Sequence, residues 1–370
     1  TVNIAFDPVL VDSKWSSNPI FSVFGGLDLT FIVKIVLSLF AILFTYDAIV
    51  GEKERGTLKL ALSNPVPRDR LILGKAIGGF ISLLMPLIIP LIMGLLILTV
   101  IPDVVLSNSD WMRIGVIFVL FLLYLSVFFT LGLFVSSLTQ KSSSSFLILL
   151  FIWVVFVTVL PKVAVLTAGR VYPIPSIHEV NAEKEAFISE ISQRGMEERQ
   201  QWVTENPNDQ TPEWPEKYRA YLEELQQGLT DEIDAKNEQI EEAYQSKRNK
   251  QSTMATNFAR VISPASALMF GSMSLGKTGI DEHERFSLSI KMYKPEFTKW
   301  ANAKLMSSIN MQTGQLGPVD DLESMPKHAF QSVTLKDSIL KAKWDFFLMI
   351  GLIFVFFVGS YAAFMKYDVR

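Results

Sequence analysis

Residues 271–278 read Gly-Ser-Met-Ser-Leu-Gly-Lys-Thr, the spacing with which backbone amides and a lysine cradle the phosphates of a nucleotide. That chemistry needs more than the letters. A buried strand must deliver the loop and a helix must follow it, so that amide groups and a helix N-terminus converge on the phosphate. Here Pro264 and a helix-like apolar run at 265–270 precede the motif, and Asp281, Glu282 and Glu284 follow where phosphate would sit. No alternation of strands and helices is available to build a nucleotide-binding fold. We read 271–278 as a flexible glycine-containing link.

Other reactive types are equally dispersed. His178, His283 and His328 have no second ligand at metal spacing, and the absence of cysteine removes disulfides and thiolate sites. The serines lack a neighbouring histidine and acid in a recognisable nucleophile context. A net charge of -3 gives no argument for nucleic acid. The expectation is a chain that performs no catalysis and holds no cofactor or metal of its own.

The elements carrying these residues are set by hydropathy. Hydrophobic residues make up 49% of the 370 and include 27 phenylalanines, yet 19% are charged, so the two populations must be segregated. Apolar stretches at 29–50, 76–101, 111–138, 146–168 and 345–365 are each long enough to cross a hydrocarbon core of roughly 30 Å. Continuous runs of that length satisfy their backbone in lipid only as helices. The fold class is an all-α membrane protein with five visible transmembrane helices. Lys53, Arg55, Lys59, Arg68, Arg70 and Lys75 place the loop after the first span in the cytoplasm, whereas the loop after the second carries Asp103 and Asp110 with only Arg113. Alternation then puts residues 1–28 and 169–343 outside and the tail, with Lys366 and Arg370, inside. A cytoplasmic start would require one further span before Thr1, giving six natively.

The expected organisation is an extracytoplasmic N-terminal segment (1–28), transmembrane helices (29–168), a helical extracytoplasmic domain (169–343), and a final span with its tail (344–370). Within the outer domain, 178–205 has helix-forming composition, the stretch at 206–215 is a turn by its Asn, Asp and Pro content, and 216–260 runs without proline. Leu222, Leu225, Leu229, Ile233, Ile240 and Tyr244 fall on one face of that second helix. Two long antiparallel helices result, the second reaching about 65 Å at 1.5 Å per residue. Pro264 stops it, and a further helix is expected near 281–312. The Glu and Lys alternation between 216 and 250 reads as a solvated face, with a partner-binding surface as the alternative. Trp111 and Trp344 read as interfacial anchors. In the spans, Lys34 lies within snorkelling reach of the outer headgroups, and Asp47 near the inner end has Lys53 and Arg55 in reach. The middle spans carry hydroxyls but no midplane charge, which argues against ion-coupled transport.

The loop at 51–75 is the most informative segment. Glu52, Glu54 and Arg55 open a short helix, Leu58, Leu60 and Leu62 give it an apolar side, Pro65 and Pro67 end it, and Arg68 and Arg70 re-enter the interface. Physics alone leaves this balanced against an ordinary positive-inside loop. The order Glu54, Arg55, Gly56, Thr57, Leu58, then Pro65, Arg68, Gly74 and Lys75 resembles the intracellular loop of type-2 ATP-binding-cassette (ABC-2) exporter permeases, in the branch with a helical extracellular insertion before the last span. Similarity extends to 262–268 and 367–370. The resemblance implies a permease subunit of an ATP-driven exporter in a bacterial inner membrane, with the loop as a coupling helix seated on a separate cytoplasmic ATPase that carries ATP and Mg. It also implies a second permease copy or paralogue, and the insertion offers a surface for a periplasmic partner. The alternative is a membrane-anchored scaffold that recruits a partner through its helical domain.

Overall fold

The computed structural model describes residues 28–63, 67–101, 106–207, 213–308 and 322–367. Residues 1–27, Pro65, Asp103, residues 208–212 of the expected turn at 206–215, residues 309–312 and the 368–370 end of the tail lie outside that set. Among the described residues the structure is helical and contains no strand. Four helices are long and apolar enough to cross a membrane: Leu29–Glu54, Asn108–Leu138, Ser142–Val171 and Leu335–Met365. The remaining expected span, 76–101, lies along a fifth long helix, Arg68–Val100.

In chain order the helices are α1 (29–45), α2 (Val50–Glu54), α3 (Thr57–Ser63), α4 (Arg68–Val100), α5 (Asn108–Leu138), α6 (Ser142–Val171), α7 (Ile177–Glu205), α8 (Trp214–Ile262), α9 (Pro264–Leu275), α10 (Ile280–Ser308) and α11 (Leu335–Met365). They fall into two compact units, 162–259 and the remainder. The segment 260–343, expected within the outer domain, thus clusters with the spanning helices.

In the larger unit, α5 is the hub. Leu120, Tyr124, Leu125, Val127 and Phe128 are fully buried, and α5 packs against α11, α1 and α9. Close approach is paid for by glycine at the tightest crossing: a Cβ on Gly132 would stand 1.8 Å from Thr45 Oγ1 on α1. Two spans contain π-helical turns, Ile32–Leu37 in α1 and Val155–Val159 in α6. A widened turn frees backbone carbonyls from the usual ladder, and each must find another donor in an apolar environment. Tyr124 Oη donates to Lys34 O at 2.8 Å, and Ser263 Oγ donates to Phe156 O at 2.7 Å. The π turns are therefore cross-linking points between helices.

The nucleotide-like motif is corrected here, from link to helix. Gly271–Leu275 are the last residues of α9, which Ser263 caps and Pro264 opens. Gly271, Ser272 and Leu275 are buried, and a Cβ on Gly271 would meet Leu120 Cδ2 at 2.9 Å. Glycine is needed there for packing against α5, not for flexibility. The left-handed turn falls at Lys277, whose φ is 59°. Beside it, Arg113, read from sequence as a loop cation, is 5% exposed and donates to Leu275 O and Ser338 Oγ at 2.9 Å and to Val333 O at 2.6 Å. It staples the end of α9 to the start of α11.

In the smaller unit α7 and α8 run antiparallel, as the rungs between them require. Lys184 meets Glu241 at 3.0 Å, Phe187 lies under Lys236, Arg194 pairs with Glu232, Gly195 faces Leu229, and Trp202 stacks on Tyr221 with centroids 4.9 Å apart. As one number rises the other falls. The face expected at Leu222, Leu225, Leu229, Ile233, Ile240 and Tyr244 is the partly or fully buried one.

Candidate functional site

The loop expected at 51–75 does not form one helix opened by Glu52 and Glu54. Those residues close α2, the chain turns at Arg55 and Gly56, and Thr57 opens α3. The reason is local: Gly56 sits at φ 74°, a conformation that a Cβ disfavours by about 1–2 kcal/mol. Within α3 two positions rotate a side chain by about 200°, which divides the expected apolar side. Leu58 is fully buried, while Leu60 is 69% exposed.

Three charges of α2 and the α4 start, Lys53, Glu54 and Arg68, are matched to helix ends of suitable polarity. Lys53 Nζ donates to the Ser137 and Thr139 carbonyls, the latter at 3.3 Å, at the C-terminus of α5. The Glu54 carboxylate accepts Ser142 N–H at 3.0 Å, at the N-terminus of α6. Arg68 Nη1 donates to Met365 O and Tyr367 O, both at 3.0 Å, at the C-terminus of α11. Unpaired carbonyls attract cations and unpaired amides attract anions, so all three contacts add hydrogen bonding to a favourable dipole. Glu52 pairs with Lys75 at 2.6 Å, and Lys75 also donates to Ala48 O at 2.9 Å, tying α2 to α4. Three helix ends thus converge on this loop.

The expected residues separate into two groups. Glu52, Leu58 and Arg68 are partly or fully buried, and with the exposed Glu54, which caps α6 from the surface, they hold the end of the bundle. Arg55, Thr57, Lys59, Leu60 and Arg70 are exposed, and Arg55 is fixed on one side by Nε–H donation to Gly51 O at 3.0 Å. Pro65 lies outside the described residues. Among the described residues no ion pair joins Asp47 to Lys53 or Arg55; Lys53 is turned to the α5 carbonyls instead, and the Asp47 and Arg55 side chains flank Gly51. Lys34 is half-buried with its ammonium 5.7 Å from the Phe31 ring centroid, in the π turn that Tyr124 secures.

The reading of the loop missed Ser136 and Ser145. Ser136 Oγ accepts the Ile49 and Val50 amides at 3.1 and 3.0 Å, where the helix from α1 breaks, and Ser145 Oγ donates to Tyr46 O at 2.7 Å. The only sequence signal was a serine pair ending the apolar run of α5 and a serine cluster opening α6. Also missed is the contact of Ser289 Oγ with His328 Nε2 at 3.0 Å. Ser289 Oγ also donates to Phe286 O at 2.7 Å, and the imidazole lies among the Phe286 and Tyr293 rings, so the pair braces the segment before α11 against α10.

The sequence matches the family described as ABC-2 family transporter protein over residues 4–369. It is 32% identical over 150 residues to a probable ABC transporter permease protein NosY of Pseudomonas aeruginosa, covering 40% of this chain and 54% of the relative. The protein of the same name in Stutzerimonas stutzeri is 33% identical over 151 residues, with the same two shares. The chain spans about half the length of the curated relatives it matches.

Proposed function

Because the chain belongs to the ABC-2 family of transporters, we propose that it is a membrane-spanning permease subunit of an ATP-driven exporter, and that α2, α3 and the start of α4 form its seat for a separate ATPase. The observation that carries this reading is the division of labour in the loop. Glu54, Lys53 and Arg68 lock it to three other helix ends, while Leu60 stands on a short helix with 69% of its surface uncovered. A large apolar side chain held out on a rigid support suits a partner's cleft as an anchor that fills a pocket. A push on α3 would reach α5, α6 and α11 together, since all three ends are bonded to the same segment.

In this reading the loop end faces the cytoplasm, as its cations require, and the 162–259 unit lies outside a bacterial inner membrane. ATP and Mg belong to the partner, the chain itself performs no chemistry, and a second permease copy completes the pathway. Both NosY relatives are described as probable ABC transporter permease proteins, which supports the same assignment.

Co-purification from mild detergent tests the seat. The full chain should bring down a cytoplasmic ATPase in fixed ratio, and Leu60→Arg should lose it while the melting profile of the permease is unchanged. Retention of the ATPase by Leu60→Arg overturns the assignment of the seat. Consistent absence of any ATPase from the unmodified protein favours a scaffold instead.

A further inference from the structure

Asp345 lies in α11, 1% exposed, and neither carboxylate oxygen has a hydrogen-bond partner among the described residues. Its counter-charge is Arg260, in the last turn of α8, with Nε 3.3 Å from Oδ1. Charged groups in a helix that crosses a membrane are costly and are kept where they act. We propose that Arg260 and Asp345 are positioning residues that form the joint between the long hairpin helix and the last spanning helix, so that displacement of α11 at its loop end is delivered to the foot of α8. The delivery of motion rests on the reading of the loop end as the driven end.

Three observations carry the joint. First, Arg260 is held from both sides: its guanidinium lies 5.5 Å from the Phe270 ring centroid and donates to Ser274 Oγ at 3.2 Å, both on α9, while Nε faces α11. Second, α9 closes on α11 without a side chain between them, because a Cβ on Gly271 would stand 3.4 Å from Asp345 Cβ and Oδ2. Third, α11 runs unbroken from Asp345 to Met365, about 30 Å of helix at 1.5 Å per residue, and Arg68 grips its far end. α8 is likewise continuous from Trp214 to Ile262.

The pair also differs in kind from the nearby staple. Arg113 makes three hydrogen bonds from its Nη atoms to neutral acceptors, with its Nε–H left unmet among the described residues, and faces no charged partner. Between Arg260 and Asp345 the lone pairs of the acid and the Nε–H of the base remain unsatisfied. Such a contact binds the helices through charge while leaving open a second arrangement in which those groups are better met, and a joint that transmits motion needs two arrangements.

The chain has no cysteine, so label pairs can be introduced without removing any native residue. Spin labels at Val261 and Lys336 report on the joint, and labels at Ser144 and Lys366 report on the loop end; all four positions are exposed. In lipid nanodiscs without nucleotide, R260Q and D345N should each broaden the Val261–Lys336 distance distribution, and the double variant should broaden it no further. Unchanged widths in both single variants, or additive broadening in the double, overturn the joint. R260Q leaves α11 intact and decides the matter if D345N fails to fold. With the partner ATPase and ATP, both label pairs should shift in the unmodified protein, whereas R260Q should shift only Ser144–Lys366. Equal shifts of both pairs in R260Q overturn delivery through this pair. An immobile Ser144–Lys366 pair in the unmodified protein refutes the driven-end reading, while the nucleotide-free widths still decide the joint.

Discussion

Replacing Gly132 by alanine places a methyl group where none fits. The new Cβ would stand 1.8 Å from Thr45 Oγ1 and 2.6 Å from Thr45 Cβ. Rotation of Thr45 does not relieve the second contact, because a Cβ does not move with χ1. Oγ1 is itself engaged with Ala41 O at 2.7 Å, and Thr45 is fully buried. The α1–α5 crossing must therefore open. Overpacking of this kind costs about 1–3 kcal/mol, which corresponds to about a five- to hundredfold loss in the folding equilibrium. The geometry also orders the rescues. Thr45→Ala removes the 1.8 Å contact but keeps the one at 2.6 Å, so it relieves part of the damage; Thr45→Gly removes both, so Gly132→Ala should cost nothing further in that background. Graded denaturation of the full chain in mixed micelles, followed by tryptophan fluorescence, reads the three single and two double variants against the parent. The reasoning fails if Gly132→Ala is as stable as the parent, or if Thr45→Ala rescues as fully as Thr45→Gly.

Arg68→Ala should fray the C-terminus of α11, raising hydrogen exchange of the amides at 364–367 about two- to fivefold, the scale of a solvent-exposed charge at a helix end. Glu54→Ala leaves Ser142 N–H without its acceptor and should speed exchange in the first turn of α6, while exchange in α4 stays as it was. Gly56→Ala strains the α2–α3 turn by about 1–2 kcal/mol and should release Leu58 from its buried site, read as new protease sensitivity between residues 54 and 60. Gly195→Leu meets Leu229 Cδ1, which would lie 2.5 Å from a Cβ there, and should loosen the hairpin by about 1–3 kcal/mol, read as faster proteolysis of α7 and α8 with the spanning helices intact.

The spans were readable because an apolar run that must satisfy its own backbone has few alternatives to a helix, and the hairpin because α7 and α8 carry caps, punctuation and a 3.6-residue stripe. Ser176 and Glu179 form the capping box that starts α7 where the composition changes. Residues 271–275 were misread as part of a link for an equally physical reason. Gly271 carries no mark that separates flexibility from close packing, and only the positions of Leu120 and Asp345 decide between them. Asp345 and Arg260 were illegible as a pair, since 85 positions separate them and each taken alone resembles an ordinary interfacial charge. At the loop, sequence located the right residues but not their division: Leu58 and Leu60 are two positions apart in one helix, so they point to nearly opposite sides, one into the bundle and the other outward, and reading them as a single apolar side overlooked that spacing. The π turns at 32–37 and 155–159 were invisible because their cause is tertiary, a donor from another helix waiting at each freed carbonyl.

The central claim is that α3 is the seat of an ATPase, and a photo-reactive residue at Leu60 tests it most directly. Introduced into the full chain in its native cells, it should capture one cytoplasmic protein that carries its own nucleotide-binding motif, while the same residue at Met93, exposed on α4, captures no such protein. Capture of no ATPase at Leu60, under conditions where the permease is fully inserted, would contradict the account.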